Sequence, residues 1–287
     1  MHGSITPAEL RELGLSIYDV IDFSSNINPL GMPLSLRKAI TNVDISRYPD
    51  PDCLELREEL AEKTGIAPES ILVGSGSTEL IHLIARAFLA ANSVPVILSP
   101  TYGEYQTACR LSGAEPVFIK AEENRNFHWD ISDVCKQIKT VKPSVVFLCN
   151  PNNPTGVLLE KRDIEKIAAA AAPGLLIIDE AYMPFADEPW DATELLGGGN
   201  IIVMRSMTKD YALAGIRLGY IVAAPDVIER LKIYQLFWSV NTIAQALGVA
   251  AINNDRHINK ARTVVAEAKK YIAKSVQDIG LEVMPSS

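Results

Sequence analysis

Four short segments of this 287-residue chain carry the side chains best suited to covalent chemistry. They are Asn150-Pro-Asn-Asn-Pro-Thr-Gly156, Asp179-Glu-Ala-Tyr182, Arg205-Ser-Met-Thr-Lys209, and the following stretch to Arg217. Between them they offer a carboxylate, a phenol, an amine and a guanidinium. A fifth segment, Gly74-Ser-Gly-Ser-Thr78, precedes a helical pattern. Its glycines allow close backbone approach, and the free N–H groups of a helix start favour phosphate. Taken singly, each has an ordinary reading: Asn-Pro-Thr-Gly is turn chemistry, Asp179 could cap a helix, and most lysines are simply solvated. The glycine-rich segment is neither a Walker A loop nor a GxGxxG fingerprint.

What joins the segments is their position. Short β-branched, apolar runs recur at Ile71-Val73, Val94-Leu98, Pro116-Ile119, Val145-Cys149, Leu175-Ile178, Ile201-Met204 and Leu218-Val222. Helical periodicity occupies Glu79-Ala91, Lys161-Ala172 and Pro225-Leu236. Continuous apolar runs predict strands buried on both faces, hence a mostly parallel seven-stranded sheet between helices in an α/β fold. In such sheets ligands bind beyond the carboxyl ends of the strands, where these loops lie. Residues 1–45 lack a strong strand and read as an N-terminal arm. Residues 46–225 read as the large α/β domain. Residues 226–287 read as a long helix through Asn254, a charged helix from His257 to Asp278, and a strand beginning at Gly280, the start of a small domain.

Composition narrows the function. An apolar fraction of 48% suits a large core, and a net charge of −8 offers no basic surface to nucleic acid or anionic lipid. Four cysteines and four histidines show no zinc or HExxH spacing, so no metal is expected. The longest apolar run, Ile167 to Ile178, is too short to span a bilayer. No signal-peptide pattern opens the chain, which predicts a cytoplasmic protein.

Three motifs, Asn153-Pro154-x-Gly156, Asp179-x-x-Tyr182 and Ser206-x-x-Lys209 with Arg217 eight residues on, resemble those of the fold type I pyridoxal-phosphate enzymes of the class I/II aminotransferase family. The resemblance spans essentially the whole chain. It implies that Lys209 condenses with the cofactor aldehyde, that Asp179 faces the pyridine nitrogen, and that Asn153 and Tyr182 bond the ring oxygen. It implies Tyr102 stacked on the ring, with Ser77, Thr78, Ser206 and Arg217 on the phosphate. Tyr48 resembles the tyrosine that reaches the cofactor of a neighbouring subunit, which implies a homodimer with shared sites.

The cofactor labilises whichever bond stands perpendicular to its ring, so cofactor-binding residues do not separate decarboxylation from transamination. On the substrate side, His2-Gly3, Asp22-Phe-Ser-Ser-Asn26-Ile-Asn-Pro-Leu-Gly31, Thr208 before the lysine, and Trp238-Ser-Val-Asn241 resemble the threonine-phosphate decarboxylases of cobalamin biosynthesis. That branch lies close to the histidinol-phosphate aminotransferases. His2, Gly3, Asn26 and Asn153 are then the implied contacts to a small phosphorylated amino acid, and decarboxylation to (R)-1-amino-2-propanol phosphate is the first expectation. Histidinol-phosphate-type transamination is the alternative, and Tyr182, where the decarboxylases often carry Phe, leans towards it. Relatives continue several dozen residues past Ser287, with arginines that grip substrate. The chain therefore reads as a truncated product that binds cofactor and turns over poorly. Two other classes rank lower: a non-catalytic, cofactor-loaded module, and a Rossmann oxidoreductase.

Overall fold

The structure, a computed structural model, describes residues 6–287. The seven expected strands are β1 (Ile71–Gly74), β2 (Val96–Ser99), β3 (Val117–Lys120), β4 (Val145–Cys149), β5 (Leu175–Asp179), β6 (Ile201–Ser206) and β7 (Gly219–Ala223). They form one sheet in the order β1-β7-β6-β5-β4-β2-β3. Strands β2 to β6 run parallel, and β7 is antiparallel to both of its neighbours. Every residue of β1, β4, β5 and β7 is buried, as the unbroken apolar runs require, while β3 sits at an edge and is partly exposed.

Around the sheet lie α1 (Pro7–Leu13), α2 (Arg37–Thr41), α3 (Leu54–Thr64), α4 (Gly76–Phe88), α5 (Glu104–Leu111), α6 (Ile131–Val141) and α7 (Lys161–Ala171). The one-turn α8 (Met207–Asp210), α9 (Pro225–Lys232), α10 (Thr242–Ala251) and α11 (Asp255–Asp278) follow. Strand side chains alternate between faces, and this alternation sets the site. Phe147 and Cys149 of β4 and Leu175 and Ile177 of β5 pack with Ile84 of α4 and Tyr105 of α5. Val146, Leu148, Leu176 and Ile178 pack on the other face with Ile138 of α6 and Ile164 and Ile167 of α7. Each such aliphatic side chain contributes about 1.5–3 kcal/mol by leaving water. A third cluster places Leu56 and Leu60 of α3 and Leu247 of α10 against Val73 and Val222. By parity Asp179 emerges on the α4/α5 face, as does Ser206, two residues beyond Met204.

Two expectations about the C-terminal part fail. The stretch from Asp226 to Asn254 is not one helix, because Trp238 adopts a left-handed φ of 59° that no α-helix accommodates. The Asn241 side chain then starts α10 afresh by accepting the Ala244 N–H at 2.9 Å. Nor does a strand follow Gly280. Its φ of 86° turns the chain out of α11, and its N–H and that of Leu281 bond back to Gln277 and Val276. Among the described residues that segment pairs with no strand. Residues 281–287 run without regular structure, and the Ser287 N–H donates to the Gly156 carbonyl at 3.0 Å. No helix among the described residues is long and apolar enough to cross a membrane.

Candidate active site

Strand register brings the predicted residues to one edge of the sheet. Cys149 pairs with Asp179 across β4 and β5, Ser206 with Gly219 across β6 and β7, and Gly219 with Gly74 across β7 and β1. The loop after β4, the carboxylate ending β5, the lysine helix after β6 and the glycine turn after β1 therefore lie side by side.

Asp179 is 4% exposed. Its Oδ2 accepts the Tyr105 hydroxyl at 2.7 Å and its Oδ1 the Ala181 N–H at 3.0 Å. Burial pushes its carboxyl above the ordinary range, and Tyr105, the Ala181 N–H and the Lys209 charge pull the other way. Lys209 shows the converse: burial lowers the ammonium's pKa, nearby Arg217 lowers it further, and Asp179 opposes both. Burial and the charge of Asp179 push the Cys149 thiol up to about 12, so it stays protonated and packs as a core residue.

Arg217 lies across the start of α4. A Cβ added at Gly76 would fall 2.7 Å from its Nη2, and Gly76 itself has a φ of 79°. The φ favours glycine there, and a methyl group would push the guanidinium aside. Ser77 stands beside Gly219, where an added Cβ would meet the Ser77 nitrogen at 3.0 Å. Thr78 shares a hydrogen bond with Tyr102. The Ser206 hydroxyl pairs with that of Thr208 at 2.7 Å and accepts the Thr208 N–H, capping α8. Tyr182, raised above its usual pKa by burial, is hydrogen-bonded to the Asn26 side chain. Both line a cleft of about 530 Å³ together with Asn153.

The structure thus gathers Ser77, Thr78, Tyr102, Asn153, Asp179, Tyr182, Ser206, Lys209, Arg217 and Asn26. It does not bring Tyr48 to them. Tyr48 is exposed, stacked on Trp238 with ring centroids 4.3 Å apart. His2 and Gly3 lie outside the described residues. Two contributors escaped the sequence reading. Tyr105, fully buried in the first turn of α5, falls three residues after Tyr102, just beyond the loop that follows β2. Asn152 ties two loops together by donating to the Pro100 carbonyl at 2.8 Å and accepting from the Thr101 hydroxyl at 2.7 Å.

A desolvated acid, an amine with a lowered pKa, flanking phenols and a guanidinium seated over a helix start suit imine chemistry on a phosphorylated ligand. The class I and II aminotransferase family profile matches residues 18–287, and the chain belongs to that family. A histidinol-phosphate aminotransferase from Moorella thermoacetica is 33% identical over 96% of this chain and 72% of its own length. A protein from Caldanaerobacter subterraneus, provisionally named a threonine-phosphate decarboxylase, is 38% identical over 93% of this chain and 74% of its own. The crystal structure of the Sinorhizobium meliloti histidinol-phosphate aminotransferase, in complex with pyridoxal-5'-phosphate, superposes with a TM-score of 0.90 at 25% identity. It covers 99% of this chain and 77% of the other. The cofactor of the chain is pyridoxal phosphate, and the buried Asp179 carboxylate and the Gly76 seat of Arg217 fit that group.

Proposed function

We propose that the chain transfers the amino group of a small phosphorylated amine, as a histidinol-phosphate-type aminotransferase with 2-oxoglutarate as acceptor. The Asp179–Lys209 pair, a buried carboxylate electrostatically coupled to an amine that burial makes easier to deprotonate, supports the cofactor chemistry, and the names of the relatives support transamination as its outcome. When bound, pyridoxal phosphate supplies an electron sink for charge developing at the substrate carbon. Asp179 keeps a proton on the pyridine nitrogen, and Tyr105 and the Ala181 N–H hold that carboxylate in its ionised form. Lys209 carries the proton to and from the substrate carbon, a role that a lowered lysine pKa favours near neutral pH. Ser77, Thr78, Ser206 and Arg217 bind the cofactor phosphate. Tyr102 covers the ring face, and Asn153 and Tyr182 hydrogen-bond the ring oxygen. Tyr48, distant from its own site, reaches that of a second copy in a homodimer.

Two observations move transamination ahead of decarboxylation, the first expectation from the sequence. Most relatives at this level of similarity are named histidinol-phosphate aminotransferases, and a phenol at Tyr182, bonded to Asn26, faces the cleft. Decarboxylation of L-threonine phosphate remains the second reading, favoured by the 38% identical relative and by the Asp22-to-Gly31 segment. The test incubates cofactor-loaded protein with histidinol phosphate plus 2-oxoglutarate and, separately, with threonine phosphate. Glutamate in the first supports transamination, whereas amine and carbon dioxide in the second support the alternative.

A further inference from the structure

Lys209 rides on α8, a helix of four residues. A single turn does not fix its own geometry, because nucleation constrains several dihedrals for little hydrogen bonding, and its terminal carbonyls have no partners within the helix. At its start, α8 is anchored by β6 and the Ser206 cap. At its end, the Ala212 N–H reaches the Lys209 carbonyl at 3.4 Å, and shorter contacts come from about 180 residues away in sequence, the N-terminal arm. The Asn28 N–H donates to the Lys209 carbonyl at 3.0 Å, and Asn28 Nδ2 donates to the Asp210 carbonyl at 2.6 Å. Asn28 is 3% exposed, and its remaining polar groups are also used. Its Oδ1 accepts from Leu30 N–H at 2.9 Å, and its carbonyl accepts from Gly31 N–H at 3.1 Å. Two residues earlier on the same segment, Asn26 bonds Tyr182 in the cleft.

We propose that Asn28 is a positioning residue: by holding both carbonyls at the end of the one-turn helix, it fixes where the Lys209 amine sits relative to Asp179 and the cleft. The inference rests on Lys209 as the cofactor lysine and is independent of which substrate is used. The arm is thereby part of the catalytic machinery, with Asn26 facing the cleft and Asn28 bracing the lysine. Misplacement of a reacting group by about 1 Å can cost about 100-fold in rate.

The test compares Asn28→Ala and Asn28→Gln with the parent protein, all loaded with cofactor. Three quantities are measured: the thermal midpoint, the pH midpoint of the bound cofactor's visible absorbance, and kcat and KM separately. Asn28→Ala keeps the main-chain N–H on the Lys209 carbonyl and removes the amide on the Asp210 carbonyl; losing that half of the brace is expected to lower kcat by about 10-fold or more with KM within about twofold. It should also shift the absorbance midpoint by about half a pH unit or more, reflecting a changed environment of the Lys209 nitrogen. Asn28→Gln, which retains an amide donor, is expected to recover part of both effects. Should Asn28→Ala fail to fold, Asn28→Leu, isosteric and without a donor, reads the same quantities. A lower thermal midpoint accompanied by parental kcat and an unmoved absorbance midpoint would overturn the proposal. The absorbance titration needs no substrate, so it decides the matter even if neither proposed reaction is observed.

Discussion

Tyr105 donates its hydroxyl proton to Asp179 Oδ2 at 2.7 Å from inside the core, not from the cleft. The phenol is stacked on Phe147, with ring centroids 5.2 Å apart, and is fully buried, so it has no freedom to turn away. From there it favours the ionised form of the acid. Tyr105→Phe removes this one donor and leaves the packing in place. A hydrogen bond to the carboxylate favours its charged form, so losing it moves the Asp179 carboxyl further above its ordinary range. With the ionised form as the working form, the acid limb of kcat/KM moves to higher pH. A pH–rate profile checks this, and an unmoved acid limb would show that Tyr105 only fills space.

Gly76 and Arg217 form one unit. Gly76→Ala would press a methyl to 2.7 Å from Nη2 at a φ of 79°, displacing the guanidinium from the helix start. Titration of apoprotein with pyridoxal phosphate is expected to show at least about tenfold weaker binding for both Gly76→Ala and Arg217→Ala, the loss of one charge-assisted phosphate contact. The double variant should add little, because the two substitutions remove the same contact. Additive losses would separate their roles.

Asp210, next to the lysine, gives a stability prediction. Its carboxyl accepts the Tyr211 N–H at 2.9 Å, yet burial raises its pKa to about 7. The folded state therefore holds a proton that the unfolded chain releases near pH 4. Stability falls as pH rises from about 4 to about 7, and the cost above that window is at most about 4 kcal/mol. Asp210→Asn keeps an oxygen acceptor and removes the titration. Its thermal midpoint should exceed the parent's at pH 8, by roughly 4 °C or more beyond any difference at pH 4. An equal offset at both values would contradict a partly buried, proton-holding Asp210.

Much of the fold was legible because its physics is local. Val145–Cys149 and Leu175–Asp179 carry no polar alternation, and only a strand covered on both faces tolerates that. A mostly parallel sheet with ligands beyond its carboxyl ends then placed Asp179 and Lys209 on one edge. What escaped depends on contacts distant in sequence. Tyr105 and Asn28 act through partners 74 and 182 positions away, and nothing in their neighbourhood distinguishes them from a core aromatic and a turn asparagine. The break near Trp238 carries no proline or glycine. The Asn241 cap was its one local signal, and that residue was read as part of a substrate motif. The segment after Gly280 has strand-like composition, but pairing needs a neighbour, which composition does not supply.

Hydride reduction of the cofactor-loaded protein, followed by proteolysis and mass spectrometry, tests the role of Lys209 most directly. Loss of the yellow colour with the reduced pyridoxyl phosphate group on the Lys209 side chain is the predicted result, and Lys209→Ala should take up no stable label. A label on any other lysine, or an unmodified Lys209 in fully loaded protein, would contradict it.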